Sequence, residues 1–322
     1  MSWNDILGQD RAKQLLKAHL AAKTVPGAML LVGPDGVGKR RLALELAKAL
    51  NCAEGASSSC DRCPNCIQMT RQTHPDLHVV VTSGASDQIK IDDIRHLISR
   101  VALRPFSVRV QVAIIDGAER LTEEAANSLL KVLEEPPATT RFVLLASCLS
   151  DCLPTIVSRC QLIHCQPLSP ELIRTILIET QGCDAAAAET IALLARGSAA
   201  EAIRLAQRWP SYQQVLVRLA SEGSAAWLEQ PLPETREEVL ALLDGMVAWL
   251  RDLAVAATDP SEPIAHRSYE GPLRRQALRV DLDRCLETAF GLVTLRHSME
   301  QFVSPRLVAA LAREKWLSLT AV

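Results

Sequence analysis

The chain has 322 residues, enough for two domains or three small ones, and its 35 Lys and Arg nearly balance 37 Asp and Glu for a net charge of −2. With 48% hydrophobic and 22% charged residues it reads as a folded chain; near neutrality argues against binding nucleic acid through bulk positive charge, and 3% aromatics argue against a base-stacking single-strand binder. No apolar run reaches membrane-spanning length and the start carries no leader-like segment, so a cytoplasmic location is expected, with the ten Cys as thiols or metal ligands.

Residues 1–23 read as a loop and then a helix, capped by Asp10, with Leu15, Leu16 and Leu20 as its apolar stripe. Residues 28–32 are a short apolar run ending in a Gly-rich turn, a buried strand that feeds a helix over 39–50. A polar, Cys-rich stretch follows at 52–66. Strands are predicted at 77–82, 110–115, 142–146 and, more weakly, 161–165; helices are predicted at 92–103 and at 122–134, the latter stopped by Pro136-Pro137. This alternation predicts βαβ units and a parallel sheet. Beyond Pro167 the pattern is helical, at 170–180, 185–195, 199–208, 235–257, 279–297 and 304–317, with 258–276 read as a loop. Loss of strands near 166 and the Trp209-Pro210 step divide the chain into an α/β P-loop domain (1–166), a small helical domain (167–208) and a longer helical domain (209–322).

Gly33-Pro34-Asp35-Gly36-Val37-Gly38-Lys39 fits the first seven positions of a phosphate-binding P-loop, between a strand and a helix as that motif requires. Backbone N–H groups and the helix N-terminus suit a phosphate, and Lys39 suits its outer oxygens. The eighth position is Arg40, where a Ser or Thr hydroxyl normally holds Mg²⁺. Val112–Ile115 ending in Asp116 reads as the acidic strand of such a site. Gly117 stands where a second carboxylate is expected, and Glu119 comes two positions late. The fold therefore reads as that of an NTPase with its chemistry disabled.

Cys52, Cys60, Cys63 and Cys66 have the density of a closed tetrahedral zinc site, and their loop-forming surroundings need a metal for order. Iron–sulfur ligation is the chemical rival. The other six Cys have no such spacing and read as small buried side chains. His74 reads as a loop or packing histidine.

With these motifs in hand, the chain resembles the delta prime family of bacterial DNA polymerase III clamp-loader subunits, which are AAA+ proteins. The resemblance rests on the Cys cluster followed by Thr73-His74-Pro75-Asp76, on Asp116-Gly117-Ala118-Glu119-Arg120-Leu121-Thr122, on Ala126-Asn127 leading to Lys131 and Glu134-Glu135-Pro136-Pro137, and on Leu153-Pro154-Thr155 leading to Ser158-Arg159-Cys160. It is dense over 1–166, weaker over 167–208, and beyond that rests on helical character. It implies an AAA+ domain with an inserted zinc loop, a helical lid and an all-α collar. It also implies a heteropentamer with tau/gamma motor subunits and a delta subunit, which loads the sliding clamp on primer-template DNA. In the family Ser-Arg-Cys carries an arginine finger, so the resemblance casts Arg159 as a donor in trans to ATP held by a neighbour. Ala200 in Gly197-Ser198-Ala199-Ala200 replaces the family's sensor arginine, with Arg204 one turn further on. Gly33, Gly36, Gly38, Lys39 and Asp116 are the residues of a degenerate nucleotide site, with ATP binding there not expected to be of ordinary strength. Arg95, Arg100 and Arg104, on or beside one helix, are candidates for template phosphates, with Arg100 and Arg104 expected on one face. The rival readings are an active motor ATPase and a zinc-ribbon nucleic-acid module.

Overall fold

The computed structural model describes residues 2–55, 58–82, 87–221, 227, 231–259, 261–262, 264–299 and 303–320. They form two compact units, one of residues 1–172 with 197–200 and one of 173–196 with 201–322.

The first unit is built on β1 (Ala28–Val32), β2 (Leu77–Val81), β3 (Gln111–Asp116), β4 (Thr140–Ala146) and β5 (Gln161–His164), all parallel in the order β2-β3-β4-β1-β5. Strand side chains alternate between faces, and both faces are apolar. Met29, Leu31, Val112, Ile114, Val143 and Leu145 share a core with α1 (Asp10–Ala22) and α2 (Lys39–Asn51). Leu30, Ala113, Ile115, Phe142 and Leu144 pack on α4 (Ile91–Val101), α5 (Glu123–Glu134) and the short α6 (Pro154–Val157). Burial on both faces explains why the central strands β1, β3 and β4 read as continuous apolar runs, while the edge strands β2 and β5 are only partly buried. Between α2 and β2 lies α3 (Pro64–Thr70), a helix that begins at the end of the Cys-rich segment and that the sequence reading did not include.

Two expectations for the first helix are corrected. Its N-cap is Gln9 at φ +57° with no side-chain cap, and Asp10 instead pairs with Lys13 at 2.9 Å. Leu15 is exposed, the buried face being Ala12, Leu16 and Leu20, which follows the helical period. The Gln9 side chain is buried. It donates to Val37 O and Gln166 O and accepts from Gln166 N, so it ties the N-terminal segment to the loop after β1.

The second unit is helical: most of α7 (Pro170–Gln181), α8 (Ala185–Leu194), most of α9 (Ala199–Gln207), α10 (Trp209–Ala220), α11 (Arg236–Thr258), α12 (Glu270–Ala277), α13 (Leu282–Ser298) and α14 (Pro305–Thr320). A helix starts at the Trp209-Pro210 step itself, because Pro is tolerated in a first turn whose N–H groups have no partner. Residues 258–276 are also not all loop, since α12 begins at Glu270. At the core of this unit Asp252 is fully buried. It accepts from the backbone N–H of Ala265 and His266 and lies 2.7 Å from His266 Nδ1, and His266 Nε2 meets Tyr212 Oη at 3.0 Å. That network fixes the segment before α12 against α10 and α11. Among the described residues no helix is long and apolar enough to cross a membrane.

Candidate functional site

Leu145 of β4 pairs with Leu31 on one side and with Asp116 on the other. The register therefore puts the Asp116 carboxylate level with the end of β1, one strand away from where the Gly-rich loop begins. Carboxyl ends of parallel strands are where such sheets form sites. In the loop, Gly36 and Gly38 have φ of +76° and +107°, backbone that glycine takes without strain. Lys39 is buried and turned back on the loop. Its Nζ donates to Gly33 O at 2.5 Å and to Pro34 O at 3.0 Å, and it pairs with Asp35 at 3.2 Å. The tip is covered. Gly36 O accepts from Ala199 N at 3.1 Å, and a Cβ at residue 36 would come within 2.4 Å of Ser198 Oγ and 2.6 Å of Ala200 Cβ. Position 200 thus stands over the loop and offers it a methyl group. Arg204 does not take over as a free charge, because Glu201 holds its guanidinium at 2.6 Å.

Arg40 does more than lack a hydroxyl. Its Nη1 lies 3.5 Å from Asp116 Oδ2, and its Nη2 donates to Gln72 Oε1 at 2.8 Å. Burial pushes the Asp116 carboxyl up, and Arg40 and Lys39 pull against that rise. The cation beside the acidic strand is part of the chain. Unlike a Ser or Thr hydroxyl, this guanidinium has no lone pair to offer a divalent ion, and it competes with one for the Asp116 carboxylate. Position 117 reinforces this, because its φ of +100° strains any side chain placed there. Glu119 is bound to Ser147, accepting from its N at 3.2 Å and its Oγ at 2.5 Å.

The four predicted thiols do converge. The Sγ atoms of Cys52, Cys60, Cys63 and Cys66 all lie within 4.8 Å of one another, Cys63 and Cys66 buried and the other two half-buried. A tetrahedral zinc site spaces its sulfurs by about 3.8 Å, within a small side-chain adjustment of this arrangement. A multi-iron cluster would hold the sulfurs further apart than one ion does. The donor set is all sulfur with no open position, which suits a structural ion, and His74 stands outside it. Burial opposes ionisation of Cys63, but hydrogen bonds from the Ala53 and Cys66 backbone outweigh it and bring the thiol down to about 7, while burial pushes Cys66 up to about 12.

Spacing alone did not reveal what holds this loop on α2. Lys48 and Glu45 are fully buried and paired at 2.8 Å. Lys48 also reaches Asp61 at 2.5 Å, and Ser59 Oγ donates to Glu45 at 2.8 Å. Burial works against the Lys48 ammonium, but the two carboxylates outweigh it and raise its pKa. The readable signal was a Lys and a Glu on the apolar face of a predicted helix. Of the six other Cys, three are buried, with burial raising the thiols of Cys152 and Cys165 to about 11. Cys160 and Cys183 are half-buried and Cys148 is exposed, so the expectation of burial fails for these three.

Arg159 follows α6. Its Nε donates to Glu134 Oε1 at 2.7 Å and its Nη2 reaches the same oxygen, while Nη1 donates to Thr155 O at 2.9 Å and to Ser158 Oγ at 3.3 Å. The three other arginines do not form one face. Arg95 is exposed and lies 3.7 Å from Asp92, and Arg100 lines a groove along β2 with His78 and His96. Arg104 lies beyond the end of α4 at Val101, so the expected shared face with Arg100 is corrected: Pro105 disfavours helical backbone at the residue before it. The loop after α4 is fixed instead by buried Asp76, which accepts from Phe106 N at 2.7 Å and Ser107 N at 2.9 Å.

A parallel sheet with β4 inserted between the loop strand and the acidic strand, carrying a Gly-rich loop and an inserted four-cysteine module, defines a P-loop protein of the AAA+ class. The chain belongs to the family described as "DNA polymerase III, delta subunit", whose model matches residues 8–169, half of the chain. It is 38% identical over 180 residues to DNA polymerase III subunit delta' of Bacillus subtilis, covering 56% of this chain and 54% of that one. It is 34% identical over 171 residues to subunit tau of Escherichia coli, covering 53% of this chain and 26% of that protein. The match thus spans about half of the first relative and a quarter of the second. Among solved structures, a gamma subunit-related protein of Thermotoga maritima superposes with a TM-score of 0.48 at 21% identity, over 94% of this chain and 99% of that one.

Proposed function

We propose that this chain is a clamp-loader subunit of DNA polymerase III that does not hydrolyse ATP itself. The observation that carries the reading is the Arg40 guanidinium against Asp116, where a hydrolytic site needs a metal ion. Gly117, the bound Glu119 and Ala200 support it independently. On this reading residues 1–166 form the AAA+ domain, 167–208 a lid and 209–322 a collar that joins a ring of tau/gamma and delta subunits. That ring places the sliding clamp on primer-template DNA in the cytoplasm. Zinc on Cys52, Cys60, Cys63 and Cys66 is structural, holding the loop between α2 and α3. Arg159 is the chain's contribution to chemistry. A guanidinium at the γ-phosphate of ATP in the adjacent motor subunit stabilises charge on the transferred phosphoryl group, and supplying it in trans makes hydrolysis depend on assembly. Arg95, Arg100 and Arg104 offer at most sequence-blind phosphate contacts.

The test is ATP turnover with Mg²⁺ by the isolated chain, then with motor subunits, delta subunit and primed DNA. We expect background turnover alone and a DNA-dependent increase in the assembled complex, lost on Arg159→Ala. Turnover by the isolated chain that disappears on Lys39→Ala would make it a motor and overturn the reading.

A further inference from the structure

We propose that Glu134 is a positioning residue that aims Arg159, an inference that rests on the reading of Arg159 as a finger in trans. The two side chains come from separate, well-anchored places. Glu134 is the last residue of α5, whose end is set by Pro136-Pro137. Pro136 packs so closely on Gly27, just before β1, that a Cβ there would come within 2.3 Å of its ring. Arg159 leaves α6, which is seated by buried Ile156 and closed by Arg159 N donating to Ile156 O at 3.1 Å. The guanidinium bridges these two frames. Of its five N–H groups, two reach Glu134 Oε1 and two reach Thr155 O and Ser158 Oγ. One Nη2 hydrogen has no acceptor among the described residues and is available to an anion.

Charge and geometry separate the two roles that Glu134 could play here. The Arg159 side chain is 30% exposed and that of Glu134 49%, so water screens their attraction and the carboxylate does little to cancel the guanidinium's pull on a phosphate. What the pair keeps at this exposure is direction, because two N–H donors on one carboxylate oxygen favour a single rotamer. A free arginine samples many rotamers, and fixing one of them is a cost of docking. Held by Glu134 and the α6 backbone, Arg159 meets its neighbour with that cost already met. Glu134 therefore raises the turnover that the finger supports, rather than withholding the finger.

The experiment uses the assembled complex with motor and delta subunits, clamp and primed DNA. It compares wild type, Glu134→Gln, Arg159→Ala and the double variant. The readouts are kcat and KM for DNA-stimulated ATP hydrolysis, and assembly by size-exclusion chromatography. Glu134→Gln keeps the shape and removes the charge. We expect it to lower the increment in kcat that this chain adds by about three- to tenfold, with KM and assembly unchanged. Arg159→Ala should remove that increment, and the double variant should match Arg159→Ala alone, because an aim without a finger has nothing to act on. Wild-type or faster turnover in Glu134→Gln overturns the proposal. So does a Glu134→Gln loss that persists on top of Arg159→Ala, or one that comes with failed assembly. If Arg159→Ala is itself silent, the finger reading fails first. A full Arg159→Ala loss with a silent Glu134→Gln leaves that reading standing and removes only the role of Glu134.

Discussion

Two loops leave opposite ends of α2, and each was visible as a motif. The Gly-rich loop at Gly33–Lys39 enters the helix, and the Cys loop at 52–66 departs from it. In the first, every charge is met within the chain: Lys39 by loop carbonyls and Asp35, Asp116 by Arg40. In the second, four thiols converge into a donor set that suits one tetrahedral ion. On the proposed reading, the loop that retains its motif spacing has lost the need for its ligand, while the irregularly spaced one retains that need. The accounting of charge, more than the fit to a pattern, separates a relic from a working site.

The largest test of this contrast is to remove a sulfur. The loop residues around the cluster are polar and small, so they gain little from burial and depend on the ion for order. Structural zinc contributes on the order of 10 kcal/mol of binding free energy in such segments. Cys63→Ser should drop metal content from one zinc per chain to near none, lower the melting temperature and open the segment before α3 to protease. Elemental analysis and limited proteolysis check this. Full stability and an intact segment without metal would break the comparison, since the two loops would then be equally self-sufficient.

The strands and the two loops were legible because they rest on local rules: apolar runs bounded by turns, a Gly-rich loop, closely spaced Cys. What was not legible depends on helix phase and helix starts at two places, and on partners distant in sequence at two others. Leu15 sits beside Leu16 in the chain but turns away from the core, which only the helix phase decides. Trp209-Pro210 reads as a boundary, and only the helix start at Trp209 shows that Pro210 sits in a first turn, where its missing N–H costs nothing. Arg40 reads as a missing hydroxyl, and only the register of β3 on β4 shows that it faces Asp116. Glu134 and Arg159 are 25 residues apart, and no local pattern joins them.

The next prediction concerns Lys48, the cation that fastens the Cys loop to α2. Removing one member of a buried ion pair leaves an uncompensated charge, at a cost of about 3–5 kcal/mol. Lys48→Met should lose that much in urea unfolding and should release zinc to chelator faster. The double change Lys48→Met/Glu45→Met should recover much of the stability, because it also removes the stranded carboxylate. A single variant as stable as wild type would mean that the zinc loop is held by its sulfurs alone.

The smallest expected effect asks whether the Gly-rich loop can be returned to use. Arg40→Ser restores the hydroxyl and uncovers Asp116, which is already level with the end of β1 and, once unpaired, free to ligate a metal. ATP affinity should then gain about tenfold in the presence of Mg²⁺ and lose that gain with EDTA, a change of about 1.4 kcal/mol. Turnover should stay at background, because Gly117 and Ala200 still supply no carboxylate and no sensor charge. Titration with and without metal separates the causes. If affinity rises with no metal dependence, Arg40 was repelling the nucleotide rather than replacing its ion. If affinity does not rise at all, the obstruction is the 198–200 turn packed on Gly36, and the loop is closed by shape before charge is considered.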